Sequence, residues 1–188
     1  RLPEQSPPEM QRVPLEGIVL QIKSLGLRGG DASAFLSRAL QPPSSEAVAA
    51  AETALRRAGA TDASGRLLPL GEHLARLPLE LRVGKMLLFG ALLGCIDPVL
   101  TIAAAMSLSR HPFLNPHEQR AQAQAARAVF CNENSDQLAL LRAYEGWRRA
   151  IREGGGRGGR DFCESHFLSA SGMEELHGLR AQLADTLA

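Results

Sequence analysis

Apolar positions recur along most of this chain at helical spacing, broken at intervals by proline, glycine and capping residues. Leu15, Ile18, Val19, Ile22 and Leu25 repeat with a period near 3.6, and Gly26 ends the run. Asp31-Ala32-Ser33 predicts the cap of a short second helix over 32–40, stopped by Pro42-Pro43. Ser44, with Ala47 three residues on, opens an alanine-rich third helix carrying Val48, Ala51, Leu55 and Ala58, which stops at Gly59. Next, Asp62-Ala63-Ser64-Gly65 supplies turn chemistry, and residues 66–70 read as the return strand of a tight hairpin. Three helices followed by a hairpin is a winged-helix plan.

The remainder reads as helix throughout. A helical turn from Leu70-Gly71 ends at Pro78, and an apolar helix over 81–95 has Lys85 as its main interior charge. Asp97 followed by Pro98 predicts an N-cap and first helical position. Residues 110–116 form a proline-stiffened loop with Phe113 as its anchor, and 117–130 is a polar, alanine-rich helix. Ser135-Asp136 caps a helix reaching Ile151, in which Tyr144 and Trp147 fall at core spacing. By composition, 153–160 (EGGGRGGR) is a flexible linker. A short helix over 161–168 and an amphipathic one over 171–187, built on Met173, Leu176, Leu179 and Leu183, complete the chain. The expected fold class is mainly α: a winged-helix domain followed by an all-helical domain.

Composition sharpens this picture only in places. The 188 residues are 45% hydrophobic but only 4% aromatic, so the core is built of Leu, Ala, Ile and Val. Lys and Arg number 21 against 20 Asp and Glu, so bulk charge is silent on nucleic acid. Cys95, Cys131 and Cys163 are widely spaced and form no CxxC pair, which points to reduced thiols in an intracellular protein, nuclear or cytoplasmic. The start of the chain is polar and proline-rich, unlike a signal peptide, and the apolar run 86–96 is too short and glycine-interrupted to span a bilayer. No membrane partner is therefore expected. A first residue of Arg rather than Met suggests an excised piece of something longer.

Several of these stretches together resemble one family. They are Pro14-Leu15-Glu16, Gln21-Ile22-Lys23-Ser24-Leu25-Gly26, the hairpin over 59–70, Leu77-Pro78-Leu79, Lys85-Met86-Leu87, Asp97-Pro98, Pro112-Phe113, Ser135-Asp136 and Phe167-Leu168-Ser169. In this order they resemble the region that follows the two motor domains of DEAH/RHA-type ATP-dependent RNA helicases. The resemblance implies a connector over 1–13, a winged-helix domain over 14–77 and a helical ratchet (helicase-associated, HA2) domain over 78–188. It departs from the family pattern at Leu68-Pro69, where a threonine is usual, and in the glycine-rich 153–160. It also stops before the β-barrel (OB-fold) domain that normally follows.

The resemblance implies single-stranded RNA as a partner, with the flanking motor domains, the OB-fold and a protein activator as further ones. It places ATP and magnesium in the motor domains. The chain itself has no GxxxxGK[ST] loop to cradle a nucleotide, so no cofactor and no catalytic or metal-ligating residue is expected within it. For RNA contact the strongest candidates lie in a basic stretch. Arg142, Arg148, Arg149, Arg152, Arg157 and Arg160 face only Glu145 and Glu153, a balance of +4 over 19 residues. Guanidinium groups bind phosphate bidentately and stack on bases, which suits single-stranded RNA. A helix end also attracts arginines for its own electrostatics, so Arg148, Arg149, Arg152 and Arg157 have a purely local reading as well. Lys85 is either a residue snorkelling at a helix edge or a phosphate contact, and Arg110, His111 and Asn115 could reach phosphate or sugar from their loop. The alternative is a free-standing winged-helix nucleic-acid-binding module or protein adaptor. As a DNA reader it is poorly equipped, because the helix over 44–58 presents Glu46 and Glu52 early and arginines only at its far end.

Overall fold

A computed structural model describes residues 13–131 and 135–187, which fall into two compact units divided between Lys85 and Met86. In the first unit, α1 (Glu16–Ser24) packs on α3 (Ser45–Ala58) and α4 (Pro69–Arg76), with the short α2 (Ala32–Leu36) beside them. Leu15, Val19, Leu20 and Ile22 from α1 and its entry meet Leu36, Val48, Ala51, Leu55 and Leu74 in the core. Leu25, expected on the same stripe, is 71% exposed, because α1 ends at Ser24 and the chain turns out through Gly26. The expected caps form: Asp31 accepts from Ala34 N, and Ser44 from Ala47 N. However, α2 stops at Leu36, well short of residue 40.

The hairpin is the main departure in this unit. Among the described residues it shrinks to one antiparallel bridge, Thr61 to Leu67, flanked by Asp62 N donating to Arg66 O and Leu68 N donating to Ala60 O. Its turn is well made, with the Asp62 carboxylate accepting from Ser64 N, Ser64 Oγ and Arg66 N. What truncates the return strand is Pro69, which takes the first helical position and starts α4 directly after Leu68. Across the same unit Lys23, with its side chain only 8% exposed, pairs with Glu52 of α3 at 3.1 Å and donates to Gly30 O.

α5 (Leu81–Leu92) contains the division between the units and ends earlier than the expected 95. In the second unit, α6 (Ile96–Met106), α8 (Asp136–Ser165) and α9 (Ala170–Leu187) pack around Leu100, Ala103, Ala104, Ala143, Tyr144, Trp147, Met173 and Leu176. Asp97 is not the cap of α6: the helix begins at Ile96, and Asp97 sits in its first turn. The expected helix over 117–130 divides into a short 3-10 turn and α7 (Arg120–Ala128). Ser135 caps α8 as expected, accepting from Leu138 N.

The stretch 153–160 is helix and not a linker. α8 continues to Ser165 with a single break at Gly155, whose φ of 60° and ψ of −155° lie in territory open essentially to glycine. The chain reverses there, and the following arm lies back against the preceding one. A Cβ at Gly158 would stand 2.4 Å from Ala150 O, and one at Gly159 2.7 Å from Ile151 Cγ1, so the arms touch only because these positions lack a side chain. The glycine count that suggests flexibility is thus spent on close packing. Accordingly, Gly159→Ala should destabilise the unit by about 1–3 kcal/mol. Gly154→Ala, which meets nothing within 4 Å, should be neutral or stabilising by up to about 1 kcal/mol. Urea denaturation of both variants checks this; a flexible linker would leave both unchanged.

Candidate nucleic-acid interface

The first arm of α8 places its arginines by helical period. Arg148, Arg149 and Arg152 follow Tyr144 and Glu145 on one side of the helix, while Tyr144 and Trp147 are buried. Facing them, α9 contributes Arg180 and α6 contributes Asp97, and the seven residues Asp97, Tyr144, Glu145, Arg148, Arg149, Arg152 and Arg180 line a cleft of about 360 Å³. Four guanidinium groups therefore meet two carboxylates.

One of the four is committed. Arg180 pairs with Asp97, donates from Nε to Thr101 Oγ1 at 3.1 Å, and lies with its Cζ 5.9 Å from the centre of the Tyr144 ring. This ties α9 to the first turn of α6 and neutralises the Asp97 carboxylate. Arg148 is half-buried and directs Nη1 to His177 Nε2 at 3.2 Å, while His177 Nδ1 lies 2.6 Å from the Tyr144 hydroxyl. Arg149 and Arg152 are exposed, and among the described residues no ion pair or hydrogen bond engages either side chain. Burial lowers the His177 pKa from its ordinary 6.5, and Arg148 and Arg180 push it the same way. Burial likewise raises the Tyr144 phenol above 10, against the opposing pull of Arg180 and Arg148. Both groups are uncharged at neutral pH, and the cleft's positive field comes from arginine alone.

The other sequence candidates are not part of this cleft. Arg157 lies on the second arm of α8, 88% exposed, with Asp161 at 4.0 Å. Arg142 donates to Phe130 O. Lys85 belongs to the first unit, where its Nζ donates to Ala58 O at 2.7 Å. The loop bearing Arg110, His111 and Asn115 is pinned by backbone bonds from Leu114 N to Phe167 O and from Ser169 N to Pro112 O. Its fully buried anchor is Pro112; Phe113 is only half-buried, stacked by His111 and covered by the Arg127 guanidinium at 5.0 Å. All three candidate side chains of that loop are exposed. Sequence reasoning missed Arg180 and His177. Their i, i+3 spacing beside the buried Leu176 was a legible signal that both flank the packed stripe of α9.

Three helices, a one-bridge wing and α4, followed by a helical unit, define a winged-helix domain leading into a ratchet-like domain. Residues 51–79 match the helicase-associated domain (HA2), winged-helix, and residues 80–153 match the helicase-associated domain (HA2), ratchet-like. The chain belongs to this helicase-associated family of DExH/DEAH-box RNA helicases. It is 45% identical over 181 residues to the human ATP-dependent DNA/RNA helicase DHX36, covering 96% of this chain and 18% of that protein. It is 44% identical over 181 residues to the Arabidopsis thaliana DExH-box ATP-dependent RNA helicase DExH3 (96% and 15%). To the human putative ATP-dependent RNA helicase DHX57 it is 39% identical over 188 residues (100% and 13%). The chain thus spans less than a fifth of the length of these relatives. No helix among the described residues is long and apolar enough to cross a membrane.

Two histidines of the second unit, His111 and His177, should make its stability depend on pH. His111, exposed but stacked on Phe113, also has a lowered pKa, from this partial loss of solvent first and Arg127 second, with Asp136 opposing. With both folded values below 6.5, the unfolded chain binds more protons in the window beneath that value, so stability falls as pH drops through it. The melting temperature should therefore be lower at about pH 5.5 than at about pH 7.5. That difference should shrink in the double variant His111→Asn, His177→Gln. Calorimetry at the two pH values checks both statements.

Proposed function

We propose that this chain is the segment of an ATP-dependent RNA helicase that helps form the channel for single-stranded RNA and couples motor-domain movement to 3′-to-5′ translocation and unwinding. In this reading residues 1–13 connect from the upstream motor domains, 14–77 form the winged-helix domain and 78–188 the ratchet. ATP and magnesium are held by the motor domains, and chemistry is done there. The ratchet contributes backbone contacts, and the flanking motor domains, a following OB-fold and a protein activator are its protein partners, in the nucleus or cytoplasm.

The observation that carries the reading is the convergence of Arg148, Arg149, Arg152 and Arg180 on one cleft within an HA2 ratchet-like domain. With Arg180 engaged by Asp97, the remaining three guanidiniums suit phosphodiester oxygens, an interaction that is strong at low salt and indifferent to sequence. Arg157, Lys85, Arg110, His111 and Asn115 are secondary candidates for RNA contact.

Two experiments test it. Sequencing the transcript upstream of the Arg1 codon should show the reading frame running back through a phosphate loop and a DEAH-type box; a start codon within a few residues of Arg1 would instead leave a binding or adaptor module. In the full-length protein, Arg148→Glu, Arg149→Glu and Arg152→Glu together should weaken single-stranded RNA binding. They should also flatten the log–log salt dependence by about 2, because each neutralised phosphate of a single strand contributes about 0.7 to that slope. Unchanged affinity across a salt series would sink the assignment.

A further inference from the structure

Beside the cleft, in contact with two of its lining residues, stands a histidine with no evident purpose in binding phosphate. His177 sits on α9, half-buried, with its ring 6.0 Å from those of both Tyr144 and Trp147. Its two nitrogens are both engaged, and the partners differ in kind. Arg148 can only donate, so His177 Nε2, at 3.2 Å from Nη1, must be the unprotonated, accepting nitrogen. A neutral imidazole then carries its proton on Nδ1, which donates to the Tyr144 oxygen at 2.6 Å. The hydroxyl, which can serve as donor or acceptor, accommodates this arrangement; the arginine could not accommodate the other.

We infer that His177 is a positioning residue for the RNA-binding cleft: fixed by Tyr144, it accepts from Arg148 and holds that guanidinium facing the strand. The inference rests on the RNA reading above. Arginine has a long, freely rotating stem, and ordering it on binding costs conformational entropy. A hydrogen bond from the buried side fixes one nitrogen and leaves the other guanidinium edge free, as pre-organised phosphate recognition requires. Arg149 and Arg152, by contrast, have no such anchor among the described residues and adjust to the strand as it moves. Apart from Arg180, which Asp97 and Thr101 hold, the cleft thus combines one anchored cation with two unanchored ones. The charges that act on His177 are Arg148 on α8 and Arg180 on α9, and the titratable group at its Nδ1 is the Tyr144 hydroxyl on α8. The nearest charges are cationic, so protonating the imidazole both removes the acceptor and repels the arginine it holds.

The test is a double-mutant cycle on the full-length protein, reading affinity for single-stranded RNA at fixed low salt and neutral pH. Arg148→Gln should weaken binding about tenfold. His177→Phe, which keeps the aromatic packing but removes the acceptor, should weaken it by a similar factor. The double variant should be no weaker than either single one, because both substitutions remove the same interaction with the strand. His177→Gln, whose amide oxygen can accept from Arg148, should bind as the wild type does. If Arg148→Gln binds normally, the RNA reading of the cleft falls and the inference with it. If Arg148→Gln is weakened while His177→Phe is not, or if the two effects multiply, only the positioning role is overturned. A His177→Gln variant as weak as His177→Phe, with an unchanged melting temperature, overturns it too.

Discussion

The second unit depends on how closely the two arms of α8 approach. Helices usually stand about 8–10 Å apart because side chains separate them. Here Gly158 and Gly159 put backbone against Ala150 and Ile151, and Gly146 takes the Phe162 ring at a distance where a Cβ would stand 2.6 Å from Cζ. Gly155 supplies the reversal that makes this approach possible within a few residues. The result is a stiff helical hairpin whose first arm carries Arg148, Arg149 and Arg152 near its end, where the helix dipole also favours cations. A flexible chain in the same place would scatter those charges.

Charge is handled differently in the two units. In the first, the two lysines turn inward onto the protein itself, Lys23 to Glu52 and Gly30 O and Lys85 to Ala58 O, while arginines such as Arg56, Arg57, Arg66 and Arg76 stay exposed. In the second, Arg180 is spent on Asp97 and Thr101, which leaves the α8 arginines as the outward-facing charge of the cleft. Burial keeps Tyr144 and His177 neutral beside them. Cys163 is similarly held as a thiol, its pKa pushed up to about 11 by burial and by Glu174 and Glu164. Net charge near zero therefore conceals a local arrangement, since Asp97 is already paired with Arg180 and only Glu145 opposes the three α8 arginines in the cleft.

Much of this protein is determined by local sequence. Helical periodicity and capping residues specified α1, α3, the start of α8 and most of α9, because i, i+3 and i, i+4 spacing and a Ser or Asp beside the next turn's N–H groups are short-range facts. The order of those elements, with the Asp62 turn, was enough to make the winged-helix plan and its helical successor legible, and the α8 arginines of the cleft stood out by density alone. Tertiary structure decided what local pattern could not. Glycine reads equally as freedom or as close approach, and only the packing of the arms made 153–160 a helix. Pro69 could end a strand or begin a helix, and the demands of α4 settled it. Which charges face outward was decided across helices: Asp97 read as a cap until Arg180, 83 residues away, claimed its carboxylate, and His177 gained a role only beside Arg148 and Tyr144. Contacts between distant residues leave no period in a sequence, so the cleft's α8 arginines were visible while Arg180 and the cleft's construction were not.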